Sequence, residues 1–170
     1  MTGQIEKFMF TTTLEPQDLR LLNALQENAR ATNVELSEAV NLSPSQCYRR
    51  LKRLEEKGYI KRYAAQLSRR AVGLDVMAFV SVTLEKHGED PARAFNSAVQ
   101  RFPEILECWA VSGESDYLLR VVSTDLRTFS NFLMRDLLGL PMVSGVKSTI
   151  LLEEEKSTTA YPLGHLAGKR

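Results

Sequence analysis

The sequence predicts an α+β chain of two modules, an N-terminal helix-turn-helix unit of winged-helix-like type and a C-terminal ferredoxin-like βαββαβ unit. Three observations predict it. Two capping patterns, Thr32 with Glu35 and Ser43 with Gln46, flank a short polar turn. Beyond residue 76 the apolar residues alternate between strand-like runs and helical stripes. Charge is also unevenly spread: residues 44–70 hold nine basic side chains against two acidic ones, whereas residues 71–155 carry a net −6 and the whole chain only +1.

Composition bounds the rest. A chain of 170 residues with 44% apolar and 25% charged side chains can bury one large core or two small ones, which excludes a disordered polymer. The longest apolar run, Val76 to Val80, is far shorter than the roughly 20 residues that cross a bilayer, and no charged-then-apolar leader opens the chain, so a cytoplasmic location and no membrane partner are expected. Cys47 and Cys108 form no C-x-x-C pair, and His87 and His165 complete a poor set of metal ligands. No metal or cofactor is expected.

The first helix is read over Pro16 to Ala29, with Leu22, Leu25 and Ala29 on one stripe and Leu19 and Leu21 beside it. The second starts at the Thr32 cap and buries Leu36, Ala39 and Val40. Asn41, Leu42 and Ser43 make the turn, Pro44 takes the first helical position, where no amide is needed, and a third helix runs to Gly58. Cys47, Leu51 and Leu54 face inward at i, i+4 and i+7, while Ser45, Gln46, Arg49, Arg50, Arg53 and Lys57 project away. Such a second helix enters a DNA major groove with its N-terminal residues at the base edges. Ser45, Gln46 and Arg49 are therefore the candidate base readers, with Ser43 beside them at the cap. Arg50, Arg53, Lys57, Lys61 and Arg62 are candidates for phosphate. Tyr48 either packs at the helix seam or touches sugar and phosphate. A charged helix face is ordinarily just solvated. That reading leaves unexplained why the turn, both caps and the +7 coincide in one segment.

After a polar link ending at Gly73, Met77 to Leu84 reads as a strand. Pro91 to Phe102 is a helix with Ala92, Phe95, Val99 and Phe102 on one stripe. Ile105 to Val111 and Tyr117 to Ser123 are strands joined by the turn-rich loop Ser112 to Asp116. Leu126 to Leu138 is a helix with Leu126, Phe129, Leu133 and Leu137 inward, and Val146 to Leu152 a last strand. Two helices cover one face of such a sheet. The open face, bearing Phe79, Trp109 or Leu119, is expected to close against a second copy of the chain. Residues 14–63 then form the helix-turn-helix domain, 64–76 a linker and 77–155 the ferredoxin-like domain, with a mobile tail from Ser157.

The stretch from Leu36 to Ile60, followed by Gly-x-x-Asp-Tyr at Gly113 to Tyr117, closely resembles the Lrp/AsnC, or feast/famine, transcriptional regulators, over roughly Leu14 to Glu153. The resemblance implies binding of double-stranded DNA, and of an amino acid or related metabolite by the C-terminal module. It also implies dimers that associate further into octamers. By position it implies an effector site of Ser112, Gly113, Ser115, Asp116 and Tyr117, with Ser148 and Thr149, at a contact between dimers. Loop amides and hydroxyls can hold a ligand carboxylate and Asp116 its ammonium. Equally, Gly113 can supply a positive φ and Asp116 can cap the turn.

The function that follows is a sequence-specific transcriptional regulator whose assembly responds to an amino acid. The alternative is a nucleoid-organising DNA-binding protein without a dedicated effector. An enzyme would need a phosphate loop, a metal-binding histidine motif or a histidine base beside a nucleophile, and the sequence holds none of these. His87 and His165 read as solvated, and Cys47 and Cys108 as packing residues.

Overall fold

The structure, a computed structural model, describes residues 14–85 and 90–166; His87 and the residues before Leu14 lie outside the described residues. Two compact units emerge, one of residues 14–65 with 156–166 and one of residues 66–155.

In the first unit, α1 (Pro16–Glu27), α2 (Asn33–Val40) and α3 (Pro44–Glu56) enclose Leu21, Leu25, Leu36, Val40, Cys47, Leu51 and Leu54. Pro16 opens α1, and Asp18 accepts the Glu15 amide at 3.0 Å. This helix stops two residues before Ala29. Asn28 turns to extended backbone and its Oδ1 accepts the Arg30 amide at 3.0 Å, so Ala29 is exposed rather than part of the stripe. Thr32 and Glu35 close the α2 capping box, Thr32 Oγ1 accepting the Glu35 amide at 3.2 Å and Glu35 Oε2 accepting the Thr32 amide at 2.6 Å, and hydrogen bonding from Thr32, its amide first, holds the Glu35 carboxyl below its usual range. Ala39 is exposed. Ser37 is buried in its place, because its hydroxyl donates to the Val34 carbonyl at 2.7 Å and so carries no unpaired donor inward. Asn41 turns the chain at φ 54°, a conformation asparagine tolerates. Gly58, at φ 73°, leads the chain out of α3 two residues after its end, and the described residues from 57 to 75 form no strand. The tail is docked, not loose: the Gln26 amide donates to the Tyr161 carbonyl at 3.2 Å and accepts its N–H at 2.7 Å.

The second unit pairs β1 (Val76–Leu84), β2 (Ile105–Ala110), β3 (Tyr117–Ser123) and β4 (Val143–Ile150) in the antiparallel order β2-β3-β1-β4. Helices α4 (Pro91–Val99) and α5 (Leu126–Asn131), the latter continued by a π-helical turn over Phe132–Leu137, cover one face. Val76, Ala78, Val80, Val82 and Leu84 of β1 point into that layer against Phe95, Val99, Phe129, Phe132 and Leu137. The register pairs Val80 with Leu119, which puts Leu119 in the covered core and Leu118 on the open face, correcting the expectation for Leu119. The π turn moves the buried position from Leu133 to Phe132, since an i to i+5 bond from the Leu138 amide to the Leu133 carbonyl, 2.9 Å, replaces the regular spacing. Leu126 is exposed at the first turn, and α4 ends at Val99, after which Phe102 meets Phe132 edge-on at 5.5 Å.

Candidate nucleic-acid interface and effector loop

The turn at Asn41 to Ser43 presents α3 with one side in the core and the other in solvent. Ser45 and Arg49 are exposed at i and i+4, Lys52 follows at i+7, and Tyr48, 57% exposed, stands beside them on the outer side rather than in the seam. Arg49 and Lys52 have no intramolecular partner among the described residues, so both charges face water. Lys52 was not among the candidates, although its spacing from Arg49 was there to be read. Gln46 and Ser43 are occupied with each other: the Ser43 hydroxyl accepts the Gln46 amide at 3.3 Å, and Gln46 Oε1 accepts the Ser43 amide at 3.2 Å. While the capping box holds, Gln46 Oε1 is engaged at the Ser43 amide and its NH₂ is the group left for base edges. Lys57 closes α3, its amide donating to the Arg53 carbonyl at 3.0 Å.

Arg50 and Arg53 do not project away. Arg50 Nη1 reaches Asp18 Oδ1 at 2.9 Å and its Nη2 reaches Glu15 Oε2 at 2.7 Å, while Arg53 Nη2 reaches Asp18 Oδ2 at 2.7 Å. Asp18 is fully buried, a place an aspartate occupies only when its charge is matched. The bonds that Arg50 donates to Glu15 and then to Asp18 raise its pKa. Sequence spacing put both arginines on the outer face because a helical wheel does not register a carboxylate 32 residues away. Nearby, the Tyr63 hydroxyl donates to Glu55 at 2.8 Å, and burial together with that carboxylate pushes its pKa up to about 12.

In the second unit the Val111 amide donates to the Asp116 carbonyl at 3.0 Å, closing a loop over Ser112, Gly113, Glu114 and Ser115, with Gly113 at φ 130°. Asp116 ties this loop to β1. Its amide donates to the Val82 carbonyl at 2.9 Å, and its Oδ2 accepts the Leu84 amide at 2.8 Å. Its other carboxylate oxygen has no hydrogen-bond partner among the described residues. Tyr117 is separate from the loop: its ring lies 4.7 Å from Phe95 in the buried layer. Ser148 and Thr149 sit on β4, beyond β1 from the loop and on opposite faces of the sheet, paired with Val80 and Phe79. From strand spacing and rise, Ser148 lies about 12 Å from Tyr117 within one chain. Ser112 to Asp116 thus form one cluster, and the β4 pair stands apart from it.

The open sheet face carries Trp109 at 61% and Phe79 at 38% exposure, with Leu118 between their strands. Crossing this apolar face, Arg120 pairs with Glu107 at 2.5 Å, and the Trp109 indole N–H donates to the same glutamate at 3.3 Å. Among the described residues no group of histidine, cysteine, aspartate and glutamate could hold a metal, and no helix is long and apolar enough to cross a membrane. Burial pushes the Cys47 and Cys108 thiols up.

Residues 14–61 match the pattern described as winged helix-turn-helix DNA-binding, and residues 77–161 match that of the Lrp/AsnC ligand binding domain. The leucine-responsive regulatory protein of Klebsiella pneumoniae is 40% identical over 145 residues, covering 85% of this chain and 88% of its own length. A transcriptional regulator of Neisseria meningitidis, solved as a complex with L-methionine, shares 47% identity at a TM-score of 0.88, over 91% of this chain and 99% of its own. A feast or famine regulatory protein of M. tuberculosis, also solved with L-methionine, shares 32% identity at a TM-score of 0.78, over 87% and 98%.

Proposed function

Because the chain belongs to the Lrp/AsnC family of transcriptional regulators, we propose that it binds operator DNA sequence-specifically through α3, as a dimer closed over its open sheet face, and that an apolar L-amino acid at the 112–116 loop controls its higher assembly, up to an octamer. The observation that carries the DNA reading is the outer face of α3, where Ser45, Tyr48, Arg49 and Lys52 stand exposed at groove-reading spacing. Ser45 and Arg49 read base edges. Lys52, with the exposed Lys61 and Arg62 beyond the helix, takes phosphate. Two copies related by a two-fold axis bring two α3 helices to successive major-groove faces about 34 Å apart, so the operator is roughly palindromic.

The effector reading rests on the loop chemistry and on the relatives. Amides and hydroxyls of Ser112 to Ser115 suit a carboxylate, and the second carboxylate oxygen of Asp116, without a partner among the described residues, suits an ammonium. Two relatives were solved with L-methionine and another is named for leucine, so L-methionine is the first probe. Ser148 and Thr149 belong to the site only if a neighbouring copy brings its β4 to this loop. Binding that favours one assembly over another shifts the equilibrium between them by its differential affinity.

Fluorescence anisotropy on the DNA upstream of the protein's own gene, against a scrambled duplex, tests the first part. Arg49→Ala with Lys52→Ala should weaken specific binding at least tenfold, and unchanged affinity would remove α3 from the interface. A ratio of specific to scrambled affinity near one would instead favour the nucleoid-organising alternative. Calorimetric titration of L-methionine tests the second part. A saturable heat accompanied by a change in sedimentation supports it, and flat titrations with all twenty amino acids overturn it.

A further inference from the structure

We propose that Asp18 of α1 is a specificity-determining residue that acts through α3, by holding the guanidinium groups of Arg50 and Arg53 away from the DNA backbone. The inference rests on the reading of α3 as the DNA-binding helix and adds which of its cations DNA meets. Asp18 sits at the third position of α1, fully buried, and its two oxygens take three donors: the Glu15 amide at 3.0 Å, Arg53 at 2.7 Å and Arg50 at 2.9 Å. Arg50 is anchored a second time by Glu15 at 2.7 Å. Glu15, Asp18, Arg50 and Arg53 together carry no net charge.

Two consequences follow from this geometry. The fork from Asp18 to residues one helical turn apart fixes the rotation of α3 about its own axis, which keeps Ser45 and Arg49 aimed outward. It also halves the cationic side chains that α3 offers between residues 49 and 53, leaving Arg49 and Lys52. Phosphate contacts add affinity for every sequence alike, whereas base contacts discriminate. A helix that withholds two arginines from the backbone gives up non-specific affinity and keeps a larger share of its binding in the base-reading residues. Withdrawing an arginine from Asp18 would leave a buried carboxylate short of its partner, so phosphate does not readily compete for it.

The test is the dependence of binding on salt, measured by anisotropy on the scrambled duplex for the full chain. Each cation that meets phosphate contributes about 0.9 to the slope of log K against log salt. Arg53→Gln is expected to leave the slope unchanged, Lys52→Gln to lower it by about 0.9, and Asp18→Asn to steepen it by up to about 1.8 as the released arginines reach phosphate. The specific-to-scrambled ratio should fall with Asp18→Asn. A loss of about 0.9 in Arg53→Gln would overturn the inference, as would an unchanged slope in folded Asp18→Asn. Should Asp18→Asn fail to fold, the Arg53→Gln slope still decides whether that arginine is withheld from phosphate, and a loss of about 0.9 overturns the inference. A flat response to Lys52→Gln would sink the reading of α3 itself, so the two failures are distinguishable. A purely structural ion pair would change the melting temperature and leave every slope alone.

Discussion

Replacing Asp116 separates two roles that coincide on one side chain. Its Oδ2 accepts the amide of Leu84 at 2.8 Å, at the end of β1 where Leu84 is buried, and its other oxygen is the proposed partner of a ligand ammonium. Asp116→Ala leaves a buried N–H without an acceptor, a loss of about 2 kcal/mol. For a domain the size of the second unit, that lowers the melting temperature by roughly 8–16 °C. Asp116→Asn keeps an oxygen in the same place, so its stability should stay within about 1 kcal/mol of the parent. It removes the charge, and with it the charge-assisted bond to an ammonium, which weakens amino-acid binding by about 10–100-fold. Thermal denaturation and calorimetric titration of L-methionine, run on the same two variants, read the two effects independently. Asp116→Ala melting with the parent would refute the structural role. Asp116→Asn binding L-methionine as tightly as the parent would refute the ammonium pairing.

Further tests address packing, assembly and pH. A Cβ on Gly139 would lie 2.2 Å from the Arg135 carbonyl, so Gly139→Ala should destabilise the second unit by about 1–3 kcal/mol in urea denaturation, and a neutral result would mean the π turn relaxes freely. Phe79→Asp places a charge on the open sheet face and should convert dimers to monomers in sedimentation velocity without changing the far-ultraviolet circular dichroism of the monomer; persistent dimers would put the interface elsewhere. The bond from Arg120 holds the Glu107 carboxyl below its ordinary 4.5. A depressed carboxylate stabilises above the unfolded-state pKa, and that contribution disappears as pH falls through the folded value. Acid unfolding below about pH 4.5 should therefore be shallower in Glu107→Gln than in the parent, and identical acid limbs would show that the pair adds nothing.

What could be read from sequence was whatever is encoded within a few neighbouring residues. Both capping boxes, the three-residue turn and Pro44 specified α2 and α3 almost to the residue, because each cap is a bond between positions three apart. The strand runs of the second unit were legible for the same reason. Alanine is tolerated on either face, so periodicity puts Ala29 and Ala39 on the buried stripes, and only the competing bonds of Asn28 and Ser37 leave them exposed.

The sequence by itself determined the order of the elements, the family likeness and the concentration of positive charge in one segment. The tertiary structure decided what that charge is available to do. Arg50 and Arg53 are tied to a carboxylate brought from α1, Leu119 is drawn under the helices by its pairing with Val80, and Tyr117 leaves the loop for the core. Each of these outcomes depends on a contact between residues far apart in the chain. Local periodicity describes which way a side chain points from its own helix or strand, and the partner waiting there is supplied only when the chain has closed on itself.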